Sequence, residues 1–351
     1  MSAAAVRFAP FRAVFAARIE SYKQWIVIGV VALLFVIMPQ VPINDWMRNA
    51  ADLPHGLALY HDPAYVYPPW ALILMLPYYL IGAAGSRVAS VLLIGWLAQR
   101  RGWSLGQFLA VILAPLFLWT MVLSNSDILI LVLPILLWEL EGSRQSVLRG
   151  LALAILLLKP QITILLLLYW LWTMRRQPRN LLIALIVMVA LTLPISLIGS
   201  PPLLAQWIAD LVHPGGENLD LWNLNNLSLS YRYGLLIAVP VVTLVFSGLF
   251  LWVRRRGKPW KHDYSYSVLL TISMLLAPYA SNQSAIVPIS LRPSWRVTVL
   301  QYLGIFGAVL LNAYKFVDVW LVLSLVVLSI VFAAQSDPKT EKLTEEYAQT
   351  N

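Results

Sequence analysis

Apolar residues run in long stretches along nearly the whole chain, and short polar or basic segments separate them. Runs of roughly 12 to 20 apolar residues predict helices, because a chain in lipid must satisfy its backbone hydrogen bonds within each segment. We predict about eleven to thirteen helical segments, some of them short or re-entrant. Their approximate cores are 25–42, 67–82, 86–99, 104–123, 126–140, 147–158, 161–174, 180–199, 234–253, 265–280, 284–291, 295–312 and 316–334.

Basic clusters mark one end of these helices, which the positive-inside rule predicts to be cytoplasmic. The clusters are Arg100-Arg101, Arg144 with Arg149, Arg175-Arg176 with Arg179, Arg254 to Arg256 with Lys258 and Lys261, and Arg292 with Arg296. The polar segments that alternate with them are then expected on the outer face. These segments are 43–66, 124–127, 159–161, 200–233 and 281–284.

The helices are expected to form one transmembrane domain, 25–334, between a cytoplasmic segment 1–24 and a polar cytoplasmic tail 335–351. The first span is expected to be retained as a signal anchor, since no cleavage pattern follows it. Two full spans within 67–100 would place Arg100 outside, so we favour a short re-entrant or interfacial helix in this region. No internal repeat is evident, which gives an inverted-repeat transporter no support.

The composition agrees with a polytopic membrane protein. Hydrophobic residues make up 60% of the 351 residues and charged residues 12%, about half the charge that a soluble surface needs. The 15 Trp and 15 Tyr fit interfacial belts, and the net charge of +9 fits basic loops rather than nucleic-acid binding. The chain has no cysteine, which excludes disulfides and thiolate catalysis.

The predicted outer segments hold many acidic, histidine and amide side chains, which indicates a substrate site at the outer membrane surface. Asp45 follows the first span closely, so it could act as a general base on a hydroxyl or be a solvated loop residue. Lys159 lies in the apolar run LALAILLLKPQITILLLL. There it could hold a lipid-linked phosphate or snorkel to the interface.

Two other readings concern the same segments. Asp127 could cap the helix that follows it. The three outer histidines lack metal-ligand spacing, and the chain carries no phosphate-binding loop and no Gly-x-Ser-x-Gly elbow. No sequence motif therefore supports a metal site, nucleotide-driven transport or serine hydrolysis.

Five stretches, in order, resemble one family of proteins. They are NDWMRNAADLPHGLALY with YVYPPWALILMLP, SNSDILILVL, LLLKPQITILLLLYWLWTMRR, LNNLSLSYRYG and MLLAPYASNQSAIVPI. Together, over residues 40–290, they resemble the integral-membrane glycosyltransferases of family 87 in the GT-C superfamily. The resemblance implies an all-α, polytopic transmembrane helical bundle of the GT-C type, and mannosyl transfer from polyprenyl-phosphate-mannose.

The resemblance also implies roles for individual residues. The Asp that opens the family's first pattern falls on Asp45, which would be the catalytic base, and the Tyr-Pro-Pro on residues 67–69. The Lys-Pro falls on residues 159–160, the Asn-x-Ser element on 226–228 and the Ser-Pro element on Ala277-Pro278. The chain departs from the family at Ser126-Asp127, where Gly-Gln is usual, and at Arg48-Asn49, where an aromatic residue is common.

We therefore expect a hexosyltransferase, with mannose as the expected sugar, that acts with inversion on a lipid or glycan hydroxyl outside the plasma membrane. The donor phosphate is expected to contact Lys159, Arg232 and His213. The residues expected to bind the acceptor or the sugar are Arg48, Asp52, His55, Tyr60, Tyr67, Asp127, Gln161, Asn226 and Asn282. The expected partners are membrane lipids, the lipid-linked donor and the acceptor, without nucleic acid, metal or another cofactor.

Two alternatives stay open at this point. A lipid-linked sugar flippase or other transporter would carry ionisable residues near the bilayer midplane. A family member without catalytic activity would be compatible with the departure at Ser126-Asp127.

Overall fold

The computed structural model describes residues 22–39, 67–212, 227–278, 280, 282–310 and 314–335. Within these ranges the regular secondary structure is helical, which confirms the predicted all-α, polytopic bundle. The helices, in chain order, are α1 (Tyr22–Leu34), α2 (Ala71–Leu74), α3 (Leu76–Arg100), α4 (Leu105–Ile112), α5 (Pro115–Val122), α6 (Asp127–Trp138), α7 (Gln145–Leu156), α8 (Pro160–Met174), α9 (Pro178–Ser196), α10 (Leu203–Val212), α11 (Leu229–Tyr233), α12 (Leu235–Arg255), α13 (His262–Leu276), α14 (Ile286–Ser290), α15 (Trp295–Leu310) and α16 (Tyr314–Gln335). A 3-10 turn, Asn282–Ala285, precedes α14.

Among the described residues, three helices are long and apolar enough to cross a membrane on their own. They are α3, α9 and α12, and the pair α4 and α5 becomes a fourth if its two parts form one bent span. Helices α1, α6, α7 and α8 are apolar but shorter. The bundle therefore combines helices long enough to cross a membrane with shorter apolar helices.

Several predicted runs are divided where the backbone cannot continue a straight helix. The run 104–123 is two helices bent by 56°, because Pro115 begins α5 and lacks the N–H that would join it to α4. The run 67–82 instead covers α2 and the start of α3, and α3 continues through 86–99 with a kink at Gly82. Gly82 has φ 72° and ψ 176°, a conformation that is essentially restricted to glycine.

The segment 200–233, predicted as an outer loop, contains the helices α10 and α11 in its described part. Helix α10 follows Pro201-Pro202, a pair that suggests a loop in the sequence but can equally precede a first helical turn. Trp207 of α10 is buried and packs edge-on against Trp70, with 5.8 Å between the ring centroids. Residues 213–226 of the segment lie outside the described residues.

Helix α6 lies in the centre of the bundle, and almost all of its side chains are buried. It packs against α3 and α7, while α7 packs against α9 and α8 packs against α13. The contact between α7 and α9 depends on Gly150, where an added Cβ would lie 2.6 Å from the carbonyl oxygen of Ala184.

The order of these helices gives the bundle two different polar ends. Asp127 begins α6, Lys159 directly precedes α8 and Ala277 directly follows α13, so these residues share one end. The other end is formed where α3, α6 and α8 finish and α13 begins. Arg101 lies there and forms ion pairs with Glu139 and Asp263.

Candidate active site

A buried ion pair occupies the first of these ends. The Lys159 Nζ pairs with the Asp127 Oδ1, and the Ser284 Oγ donates to the Asp127 Oδ2. The Asp127 side chain is fully buried, whereas 13% of the Lys159 side chain is exposed. A lysine in apolar surroundings is costly unless it is paired, and Asp127 supplies the partner.

The turn before α6 places Asp127. Ser124 has φ 48° and its carbonyl oxygen accepts a hydrogen bond of 2.7 Å from the Tyr78 hydroxyl. The Asn125 Oδ1 accepts from the backbone N–H of Asp127 at 2.7 Å. The Asn125 side chain thus accepts a hydrogen bond at this helix start, and the Asp127 carboxylate contacts Lys159 and Ser284.

Lys159 is held where the chain passes from α7 to α8. Pro160 begins α8, and the Thr163 Oγ1 donates to the carbonyl oxygens of Leu156 and Lys159, at 2.7 and 3.0 Å. The Lys159 Nζ lies 5.7 Å from the centroid of the Tyr67 ring, within cation–π range. The Tyr67 hydroxyl in turn lies 3.3 Å from the Ser126 Oγ.

A second connection joins the segments before α11 and after α13. The backbone N–H of Leu227 donates to the carbonyl oxygen of Ala280 at 2.7 Å, and the Ser228 Oγ donates to that of Ala277. Ser228 also caps α11, because its Oγ accepts from the N–H of Tyr231 at 3.0 Å. These bonds fix the chain shortly before the 3-10 turn that carries Ser284.

An apolar cavity of about 560 Å³ is lined in part by the chain neighbours of the ion pair. Its lining comes from α1, α3 and α6, together with the ends of α2 and α7. Ser126 and Leu158 belong to this lining, and they directly precede Asp127 and Lys159. Most of the other lining groups are aliphatic or aromatic, which suits the hydrocarbon part of an amphipathic ligand.

The structure brings three of the predicted site residues together, namely Tyr67, Asp127 and Lys159. Gln161 lies half-buried in the first turn of α8, and Arg232 lies half-buried on α11. Asn282 belongs to the 3-10 turn, but its side chain is outside the described residues. The other predicted site residues also lie outside them, and these are Asp45, Arg48, Asp52, His55, Tyr60, His213 and Asn226.

Ser284 and Tyr78 contribute to the site but were not among the predicted site residues. Ser284 had a signal, because it belongs to a polar segment expected on the same face as Asp127 and Lys159. Its pairing with Asp127 spans 157 positions in the chain, which sequence spacing alone cannot show. Nothing in the sequence distinguishes Tyr78 from the other tyrosines that are expected at the membrane interface.

Fold and site together define a polytopic helical membrane protein with a buried polar centre at one end and an apolar cavity beside it. Residues 65–281 match the family model of glycosyltransferase family 87, and the chain belongs to this family. It is a membrane glycosyltransferase. The match covers Tyr67, Asp127 and Lys159 and ends shortly before Ser284. No curated protein and no solved structure matched the chain.

Proposed function

We propose that this protein transfers a hexose, with mannose as the expected sugar, from a polyprenyl-phosphate donor to a lipid or glycan hydroxyl on the outer face of the plasma membrane. The observation that carries the proposal is the position of Lys159, which is paired with Asp127 and directly follows Leu158 in the wall of the apolar cavity. A polyprenyl-phosphate sugar combines an anionic phosphate with a long isoprenoid chain. A cation beside an apolar cavity complements both parts.

The dimensions of the helices support a membrane-embedded site. Helix α6 has 12 residues and is therefore about 18 Å long at 1.5 Å per residue. The hydrocarbon core of a bilayer is about 30 Å thick. Helix α6 is therefore too short to span the hydrocarbon core. In a bundle that crosses the membrane, at least one end of α6 then lies below the membrane surface, where a lipid-linked donor can reach that end from the side.

In this proposal Asp127 positions Lys159 instead of contacting the sugar as first expected. Its two carboxylate oxygens accept from Lys159 and Ser284, and its side chain is fully buried. An ammonium group has three N–H donors, so a lysine that is held by a carboxylate can also donate to a phosphate oxygen. The positive charge of Lys159 then stabilises the negative charge that develops on the leaving phosphate.

The chemical step follows from an inverting displacement at the anomeric carbon. Asp45 takes the proton of the acceptor hydroxyl as its oxygen bonds to the anomeric carbon, a contribution of roughly 100- to 10,000-fold. The bond from this carbon to the phosphate oxygen breaks, and the polyprenyl phosphate leaves with the electron pair. Arg232 and His213 are further candidates to bind the phosphate, and the step includes no metal or other cofactor.

The remaining predicted residues form the proposed sugar and acceptor side of the site. Tyr67 is the best placed of them, because its ring lies beside Lys159 and its hydroxyl faces Ser126. Gln161 follows Lys159 within the first turn of α8. Alignment of donor and acceptor at one membrane depth supplies much of the remaining rate acceleration.

The experiment is sugar transfer by the purified protein from radiolabelled polyprenyl-phosphate-mannose to extracted lipids. Polyprenyl-phosphate-glucose and a nucleotide-linked mannose serve as comparison donors, and the anomeric configuration of the product reports inversion. We expect transfer from a polyprenyl-phosphate sugar, and loss of transfer in Asp45→Asn with donor binding retained. Asp62→Asn, in the same segment, is the matched control and keeps activity.

Other outcomes would replace the proposal. Movement of the intact donor across a vesicle membrane, without cleavage of the sugar–phosphate bond, would support a flippase. Transfer from the nucleotide sugar alone would reject the polyprenyl-phosphate donor. Full activity of Asp45→Asn would reject Asp45 as the base.

A further inference from the structure

A second cavity, of about 520 Å³, lies at the end of the bundle opposite to Lys159. It is lined by the ends of α3, α13 and α16, by the starts of α4 and α15, and by the turn between α14 and α15. Its charged lining consists of four cationic side chains and one carboxylate, which are Arg101, Lys261, Arg292, Arg296 and Asp263. The cavity is therefore strongly cationic, and no part of the proposed donor site contributes to it.

Arg292 is a buried cation in the wall of this cavity. Only 7% of the residue is exposed, and its guanidinium carbon lies 4.0 Å from the centroid of the Tyr264 ring. Neither its Nη1 nor its Nη2 has a hydrogen-bond partner within the described part of the chain. Buried charges are normally paired and hydrogen-bonded, so this guanidinium is prepared for an anion that the described part of the chain does not supply.

The one carboxylate in the lining is already engaged elsewhere. The Asp263 Oδ1 accepts from the Arg101 Nη2 at 2.8 Å, while the Glu139 carboxylate accepts from both terminal nitrogens of Arg101 at 2.7 Å. Asp263 and Glu139 carry two negative charges against the one positive charge of Arg101, so this cluster keeps one negative charge. The positive charge of the cavity comes from Lys261, Arg292 and Arg296.

Burial also changes the pKa of the Arg292 guanidinium. It lowers the pKa of Arg292 to about 10, although the nearby carboxylate of Asp263 acts in the opposite direction. The group still carries its proton at neutral pH, so the positive charge persists inside the cavity. An anionic ligand would offset the desolvation cost of that positive charge. The uncharged polar residues of the lining, among them Gln107, Ser294 and Ser329, carry no negative charge that could do so.

We propose that this cavity binds the phosphate group of an anionic membrane lipid. Arginine guanidinium groups bind phosphate oxygens through paired N–H donors, and Arg292 and Arg296 present two such groups. Leu291, Pro293 and Phe332 add an apolar wall that an acyl chain can contact and a free phosphate cannot use. Basic pockets between helices at the positively charged side of membrane proteins are recognised sites for anionic headgroups.

The test is lipid binding to the purified full-length protein, measured by native mass spectrometry after titration with phosphatidylglycerol. Phosphatidylcholine and inorganic phosphate are titrated separately to distinguish lipid charge from phosphate alone. The variants are Arg292→Gln and Arg296→Gln. Arg255→Gln is the matched control, since Arg255 is an exposed arginine at the end of α12 and does not line the cavity.

We expect wild-type protein to retain phosphatidylglycerol in preference to phosphatidylcholine. Each cavity variant should weaken this binding about fivefold or more, and Arg255→Gln should leave it unchanged. Equal binding by wild type and both cavity variants, or an equal loss in Arg255→Gln, would overturn the site. Inorganic phosphate binding as tightly as the lipid would overturn the lipid as its ligand. Should Arg292→Gln fail to fold, the exposed Arg296 still provides the decisive variant.

Discussion

The ion pair of Asp127 and Lys159 predicts a large and specific loss of stability when one partner is neutralised. In Asp127→Asn, Lys159 keeps its charge in a site where only 13% of its side chain is exposed, and Ser284 loses a charged acceptor. Removal of one partner from a buried pair costs about 3–5 kcal/mol. An exposed carboxylate such as Glu141 should cost no more than about 0.5 kcal/mol when changed to Gln.

The measurement is the free energy of unfolding in mixed micelles, followed by circular dichroism during titration with a denaturing detergent. Asp127→Asn, Lys159→Met and the double variant form a thermodynamic cycle, and Glu141→Gln is the control. We expect the double variant to lose less than the sum of the single losses, with a coupling of about 0.5–3 kcal/mol. Additive losses, or an Asp127→Asn loss as small as that of Glu141→Gln, would refute the reasoning.

Three further predictions concern packing, backbone geometry and the cavity. Gly150→Ala should lower the free energy of unfolding by about 1–3 kcal/mol, because the new Cβ meets the backbone of α9. Gly248→Ala, at a position with open space around it, should leave the free energy of unfolding unchanged. Equal effects of the two substitutions would contradict the close approach of α7 and α9. Gly82→Ala should cost about 1–3 kcal/mol because of its positive φ, and an unchanged melting temperature would contradict the kink. Leu92→Trp, in the wall of the apolar cavity, should raise KM for a long-chain donor more than kcat changes, while Leu244→Trp on the exposed face of α12 should leave both constants unchanged.

The sequence predicted the class of fold well because hydrophobic length is a direct consequence of the lipid environment. Most helices lie within a few residues of the predicted cores; α8, for example, covers 160–174 where 161–174 was predicted. The errors occur where the length and hydrophobicity of a segment do not determine where a helix begins and ends. Pro115 divides one apolar run, and the amphipathic α10 falls in a segment that its prolines and polar residues suggested to be a loop.

The site was predictable only in part. Asp127 and Lys159 were expected on one face because basic clusters fix which ends of the helices lie together. Their pairing, across 32 positions, and the addition of Ser284 from much later in the chain depend on how α6, α8 and the 3-10 turn pack. Arg292 shows the same limit: its sequence position indicates a cytoplasmic arginine, but its burial against Tyr264 is a property of the folded bundle.

The most direct test of the central claim is the rate of sugar transfer from a polyprenyl-phosphate sugar by wild-type protein and Lys159→Gln. Lys258→Gln, a change at the other end of the bundle, is the matched control. We predict transfer by wild type and by Lys258→Gln, and a loss of about 100-fold or more in Lys159→Gln, as expected when a group that stabilises developing negative charge is removed. Equal rates for wild type and Lys159→Gln, or no transfer by wild type from any polyprenyl-phosphate sugar, would contradict the account.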